Sequence, residues 1–299
     1  MELRVLKYFL EVAKEGNITR TAEHLHISQP TISKQIKDLE DELGVKLFKR
    51  TNYAVKLTEA GLLLRDRAED IIELVNKTDM EFKNLDDIGG DIFIGAAEST
   101  LMSLFVGAVT EIQKRYPRIR INIFSGDSDD VCEKLDKGTV DIGVVSNYFD
   151  PKKYNYLYLG KNWENDTWGI LMRKDDPLAY KESFTLDEVL KLPLICSRQW
   201  RDQSMSHWFK EKTGKLNIIA TFNLGYNAAI MVKEKLGYAL IFDGIVNTGE
   251  DSIYKFVPIS GASHSCLNII WRKNQTFTPT AKLLMNELES RFSRYTENQ

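Results

Sequence analysis

The chain has 299 residues, 43% hydrophobic and 28% charged, with a formal net charge of −3 at pH 7, which suits two or three soluble domains of about 100–200 residues each. No apolar run reaches the ~20 residues that span a bilayer, and MELRVLKYFLEVAKEG is not a basic tip leading an apolar block. Cys132, Cys196 and Cys266 are too few and too scattered for a disulfide framework, so a cytoplasmic protein with reduced thiols is expected. The net charge conceals an asymmetry: residues 1–58 carry ten Lys or Arg against eight Asp or Glu, and the remainder carries 30 against 35. A small basic module on a larger acidic body fits these numbers, and local charge governs attraction to phosphate.

In chain order, LRVLKYFLEVAKEG spaces Leu3, Leu6, Phe9, Leu10 and Ala13 as a helix that Gly16 ends. NITRTAEHLHI reads as a shorter helix capped by Thr19, with Ala22, Leu25 and Ile27 as its apolar contacts and a turn around His26. A third helix starts at Ser28, an N-cap, with Pro30 in its first turn. Ile32, Ile36, Leu39 and Leu43 form its apolar stripe, and Gly44 stops it. The opposite face of its first two turns shows Gln29, Thr31, Ser33, Lys34 and Lys37 without a carboxylate; the acids Asp38, Glu40, Asp41 and Glu42 come later. Such a tip suits a DNA groove, with charge following distance from the phosphates. VKLFKRTNYAVKLT then reads as a hairpin wing around Thr51-Asn52, with Lys46, Lys49, Arg50 and Lys56 as cations.

These residues, AEHLHISQPTISKQIKDLEDELGVKLFKR followed by LTEAG, resemble the winged helix-turn-helix of LysR-type transcriptional regulators over residues 1–61. The resemblance implies base reading by Gln29, Thr31 and Ser33 from a helix that starts near Pro30. Lys34 and Lys37 stand close by, Arg50 lies on the backbone, and Thr19 and Lys49 complete the DNA-binding set. One position departs from it: Tyr53 stands where the family's wing usually carries an arginine. The partner implied is a double-stranded DNA operator, and RNA polymerase is a further candidate partner.

From Thr58 about thirty residues run without proline. Leu64, Ala68, Ile71, Val75, Thr78, Phe82 and Leu85 recur at spacings of 4 and 3, a heptad seam. The helix either packs on its own domain or pairs with another copy. Pairing is the expectation, because dimers read two half-sites, and Leu64, Ala68, Ile71, Val75 and Phe82 are its expected contacts in a homodimer or homotetramer. After Gly89-Gly90, apolar strands alternate with amphipathic helices, which predicts a parallel, doubly wound α/β sheet. Here the resemblance to LysR regulators extends over the whole chain. It implies a two-lobed effector domain like that of periplasmic binding proteins, with crossovers near Lys161 and Ser265. The expected division is a winged helix-turn-helix over 1–58, a linker helix over 59–88 and an effector domain over 89–299. Its first lobe would take 89–161 and 266–299, its second 162–265.

Ligands of such sheets bind beyond the carboxyl ends of the strands. That rule selects Ser99, Thr100, Gly126, Asp127, Ser128 and Ser146 on one lobe and Ser197, Arg198, Arg201 and Asn223 on the other. Arginine opposite a helix N-terminus predicts an anionic effector, with a carboxylate as the guess. No metal or cofactor is expected: His24, His26, His207 and His264 lack metal spacing with the cysteines, and no phosphate loop or nucleophile elbow occurs. Asp127, Asp129 and Asp130 suit a helix cap better than a calcium loop, and a redox role for Cys196 finds no assured cation nearby. An effector-responsive transcription factor is therefore expected. An enzyme or transport-type binding protein lacks its catalytic residues or leader, and an architectural DNA-binder would leave the cleft vestigial.

Overall fold

The computed structural model describes residues 1–50, 55–83, 88–146, 149–159, 166–200, 216–262 and 265–292. The chain forms two compact units, Met1–Lys83 and Asn84–Gln299. In the first, helices α1 (Leu3–Glu15), α2 (Ile18–His24) and α3 (Gln29–Leu43) precede an antiparallel pair, β1 (Phe48–Arg50) and β2 (Val55–Leu57), and a long helix, α4 (Glu59–Lys83). Gly16 and Gly44 close α1 and α3 with φ of 61° and 70°, the left-handed conformation that glycine adopts without a Cβ penalty. Ser28 caps α3 through the Thr31 N–H, and His26, at φ 53°, makes the tight turn from α2. The cap of α2 is not Thr19. Asn17 accepts from the N–H groups of Thr19 and Arg20, because Thr19 already lies inside the first turn.

Val5, Leu6, Phe9, Val12, Ile32, Ile36, Leu39 and Leu47 form the core of this unit. Leu3 and Leu43, expected on the stripes, remain 45% and 40% exposed because their helices run past the core. Ala68 is wholly buried in that core, with Leu64 and Ile71 packed against it. The seam expected for pairing is thus divided: its first half is used within the unit, while Phe82 stays 71% exposed. Glycine is required at Gly61, where a Cβ would meet the Leu47 carbonyl oxygen at 2.1 Å. Thr58 anchors the same place, since its hydroxyl accepts from the Gly61 N–H and donates to the Lys46 carbonyl.

The second unit holds two five-stranded sheets. The first, in the order β4-β3-β5-β12-β6, joins β3 (Gly90–Ala96), β4 (Ile119–Ser125), β5 (Ile142–Ser146), β6 (Tyr154–Leu159) and β12 (Leu267–Arg272). Helices α5 (Met102–Arg115) and α9 (Pro279–Phe292) cover one face, and α6 (Ser128–Lys137) covers the other. The second sheet, in the order β11-β7-β10-β8-β9, joins β7 (Trp168–Arg173), β8 (Leu194–Ser197), β9 (Ile218–Phe222), β10 (Tyr238–Phe242) and β11 (Tyr254–Pro258). On it pack the short α7 (Leu186–Val189) and α8 (Gly225–Lys233).

Neither sheet is purely parallel, contrary to the expectation. β12 runs antiparallel to β5 and β6, and β7 runs antiparallel to β10 and β11. The cause is where these strands begin. Each follows a crossover between the sheets, at Asp166 and Ser265, which pair as an antiparallel bridge. The other strands run toward the cleft, so a strand that starts at the cleft must run the opposite way.

Candidate nucleic-acid interface and interlobe cleft

The start of α3 presents Gln29, Pro30, Thr31, Lys34 and Lys37 to solvent, with Ser33 half-buried. The Gln29 amide donates to Ser33 Oγ at 2.8 Å, and the hydroxyls of Ser28 and Thr31 lie 2.7 Å apart. These hydrogen-bonding groups are pre-set against one another on a helical scaffold that holds their spacing. Thr19 is exposed at the start of α2. Between α3 and the wing, Ser33, Lys34, Lys37 and Lys46 line a groove with Phe48 and Val55.

Lys49 and Lys56 stand directly opposite one another on the exposed face of the wing. Like charges at that register destabilise a strand pair, and neither has an ion pair among the described residues. Neither do Lys34 and Lys37. Lys46 differs, because its Nζ lies 2.7 Å from Glu40. Glu40 is not a solvated acid at the far end of the helix, as its sequence position suggested. It accepts from the N–H groups of Leu47 and Phe48 and ties the wing to α3. Burial alone would push its carboxyl up, but Lys46 and those two N–H groups outweigh burial and hold it below the ordinary 4.5. Arg50 lies in β1 by its backbone; its side chain, like Tyr53, is outside the described residues. One grouping that spacing along the chain did not reveal joins His24 to Glu11 and Glu15, with ligand atoms within 4.8 Å of one another. Lys14 and Arg20 ion-pair the same two carboxylates, at 3.5 and 3.2 Å.

In the second unit a cleft of about 600 Å³, solvent included, lies between the two sheets. Of the expected residues it brings together Ser99, Gly126, Asp127, Ser128, Ser146, Ser197 and Asn223. Thr100 sits beside it against Gly244, and Arg201 lies outside the described residues. Arg198 reaches from the start of the segment after β8 to both Asp127 and Asp130, an ion pair between the lobes. Those two carboxylates raise the guanidinium further above its ordinary range. Asp127 also closes a capping box at the start of α6 with Asp130, which accounts for the acidic run there.

Four groups in and around the cleft were missed. Asp166, 3% exposed, accepts from Ser99 Oγ at 2.7 Å and Thr100 Oγ1 at 3.3 Å. Burial pushes its carboxyl up, and the hydrogen bonds from Ser99 and Thr100 oppose that. Glu98 accepts from the Gly225 N–H at 2.5 Å, across the lobes. Trp168 and Phe242, with centroids 3.9 Å apart, form an aromatic wall together with Phe222. Gln199 lines the cleft as well. Ser99, Thr100 and Arg198, among the groups from which an anionic effector was expected, are therefore already bound by the chain's own carboxylates, and Ser128 and Ser146 pair with each other. Cys196 is buried beneath the site, and burial pushes its thiol up to about 12, away from the reactive thiolate.

A helix-turn-helix with a wing in one unit and a two-lobed cleft in the other are the parts of an effector-domain regulator, and the comparisons agree. The lysR-family model of bacterial regulatory helix-turn-helix proteins matches residues 3–62, and the LysR substrate binding domain matches 86–293. The chain belongs to the LysR family and is a DNA-binding transcriptional regulator with an effector-binding domain. Its relatives include the Bacillus subtilis (strain 168) regulator YtlI, 28% identical over all of this chain and 92% of that protein. BsdA of the same strain is 35% identical over 73% of this chain and 74% of its own. Among solved structures, the LysR regulator CbnR superposes with a TM-score of 0.73 at 20% identity, covering 97% of this chain and 99% of that one. CbnR in complex with its target DNA gives 0.72 at 19% identity. No helix among the described residues is long and apolar enough to cross a membrane.

Proposed function

We propose that this regulator reads its operator with the start of α3 and that a small molecule held between the lobes alters that reading. Gln29, Thr31 and Ser33 contact base edges; Lys34, Lys37, Lys49 and Lys56 contact phosphates, with Arg50 on the backbone and Thr19 beside them. The observation that carries the reading is the lysine pair at Lys49 and Lys56, two like charges placed opposite one another on an exposed ribbon. An anion between them relieves the repulsion. The protein acts in the cytoplasm and not as an enzyme; in support, its relatives bear the names of regulators.

Two copies pair through the part of α4 that its own unit leaves uncovered, where Leu74, Met80 and Phe82 are exposed. Val75 belongs to the same stretch, whereas Leu64, Ala68 and Ile71 support it from inside the unit. The double variant Leu74→Asp, Phe82→Asp should sediment as a monomer, and parental sedimentation would remove α4 from the interface.

The test of base reading is a pair of variants. Gln29→Ala should cost about 1–3 kcal/mol on the operator and little on random DNA, whereas Lys34→Ala should weaken both alike and reduce the salt slope by about 1. Equal losses on both DNAs for Gln29→Ala would take base reading away from that side chain.

A further inference from the structure

The ligand class of the cleft follows from the partners its charged groups already have, given the reading of the cleft as the effector site. A helix N-terminus, with its free N–H groups and partial positive charge, is the ordinary seat for an anionic ligand group. Three helices begin at this cleft, and a carboxylate of the chain stands at or just before each start. Asp166 sits on Ser99 and Thr100 before α5. Asp127 caps α6, accepting from the N–H groups of Asp129 and Asp130. Glu98 crosses from the other lobe to the Gly225 N–H of α8, whose own N-cap residue, Leu224, offers no side-chain acceptor. Residue 225 must be small for this: a Cβ there would stand 2.6 Å from Ile245 and 3.3 Å from the Glu98 carboxylate.

The cation expected to draw an anion is engaged too, since Arg198 is held by Asp127 and Asp130. A ligand carboxylate would have to displace one of the protein's own. It would enter a field in which, among the described residues, Glu98, Asp127, Asp130 and Asp166 face the single guanidinium of Arg198. A positively charged group need not displace a cation, because Glu98 and Asp166 are engaged by N–H and O–H donors and by no cation among the described residues. Trp168, Phe222 and Phe242 line the same space, and aromatic faces attract an ammonium while burying its carbon skeleton.

We propose that the effector is a small organic cation, an amine or amidine with an apolar body, held by Glu98 and Asp166 against Trp168, Phe222 and Phe242. The test uses the full-length protein and probes that share a skeleton but differ in charge: benzylamine, benzamidine, benzyl alcohol and benzoate, with butylamine, butanol and butyrate as an aliphatic set. Calorimetry should give the cationic members an affinity at least about tenfold above the anion of the same skeleton. Glu98→Gln and, separately, Asp166→Asn should shrink that preference to about threefold or less. Glu98→Gln keeps an acceptor oxygen for the Gly225 N–H, and Asp166→Asn keeps one for Ser99 while its amide donates to the Thr100 hydroxyl.

Tighter binding of the carboxylates, equal binding of all charge types, or no heat from any amine at about 10 mM overturns the proposal. A preference that survives both variants overturns the assigned residues. A carboxylate that binds and alters operator affinity would remove this proposal and leave the effector reading standing. Silence of every probe, together with unchanged operator binding, would count against both.

Discussion

In the winged unit Lys49 and Lys56 oppose one another without a carboxylate among the described residues, whereas in the effector unit Arg198 holds two carboxylates and each helix start at the cleft has one of its own. The first surface carries repulsion that an anion would relieve, on the proposed reading the phosphate backbone. In the second the cation is already matched, so an anionic ligand can enter only by exchanging partners. DNA affinity should therefore follow ionic strength, and effector affinity should follow the identity of a few side chains. A ligand changes DNA binding only through unequal affinity for two arrangements of the chain. A cleft whose ion pairs bridge the lobes supplies such arrangements, with the pairs made or broken.

The largest effect expected from this contrast is on DNA. If Lys34, Lys37, Lys49 and Lys56 each neutralise one phosphate, log affinity should fall against log salt with a slope of about −3.6 per bound protomer, about a hundredfold for each protomer between 50 and 200 mM. Fluorescence anisotropy on operator duplexes measures it, and a slope per protomer shallower than about −2 would remove at least two of the four from the phosphates.

Arg198→Ala comes next. It leaves the buried Asp127 and its neighbour Asp130 without their cation. Because the guanidinium is half-exposed, the loss should be about 1–2 kcal/mol in unfolding of the effector unit. Denaturant titration reads it, and an unchanged midpoint would mean that the bridge between the lobes contributes nothing.

The smallest effect has the opposite sign. Lys56→Ala removes a repulsion and should stabilise the winged unit without DNA by about 0.2–1 kcal/mol, a rise in melting temperature of about 1–8 °C, even as it weakens binding to any duplex. A fall in melting temperature would show that the two lysines do not oppose one another in solution.

The first 50 residues were legible because their signals are local. Ser28, Pro30 and Gly44 mark helix ends by backbone chemistry alone, and a carboxylate-free face at 3.6-residue spacing can be counted along the chain. The cleft was legible only in part. Strand ends located Ser99, Asp127, Ser146, Ser197 and Asn223, but the groups that decide its chemistry meet across long separations: Arg198 finds Asp127 71 residues away, and Ser99 finds Asp166 67 residues away. No periodicity reports such a pair. The reversed strands β7 and β12 were hidden for the same reason, since direction within a sheet is set by where the chain enters it. Ala68 misled because a heptad seam looks the same whether it packs inward or on a second copy.

The place of β12 has a kinetic consequence. It sits between β5 and β6, yet it is made about 110 residues after β6, when the whole second sheet has already been synthesised. During translation the second sheet, continuous from Asp166 to Ala262, can close on itself. The first sheet instead waits with two apolar edges open, on β5 and β6, an arrangement that slows folding and exposes strands to mispairing. A chain that stops before Leu267 should therefore give insoluble protein, although it contains every residue assigned here to DNA and effector.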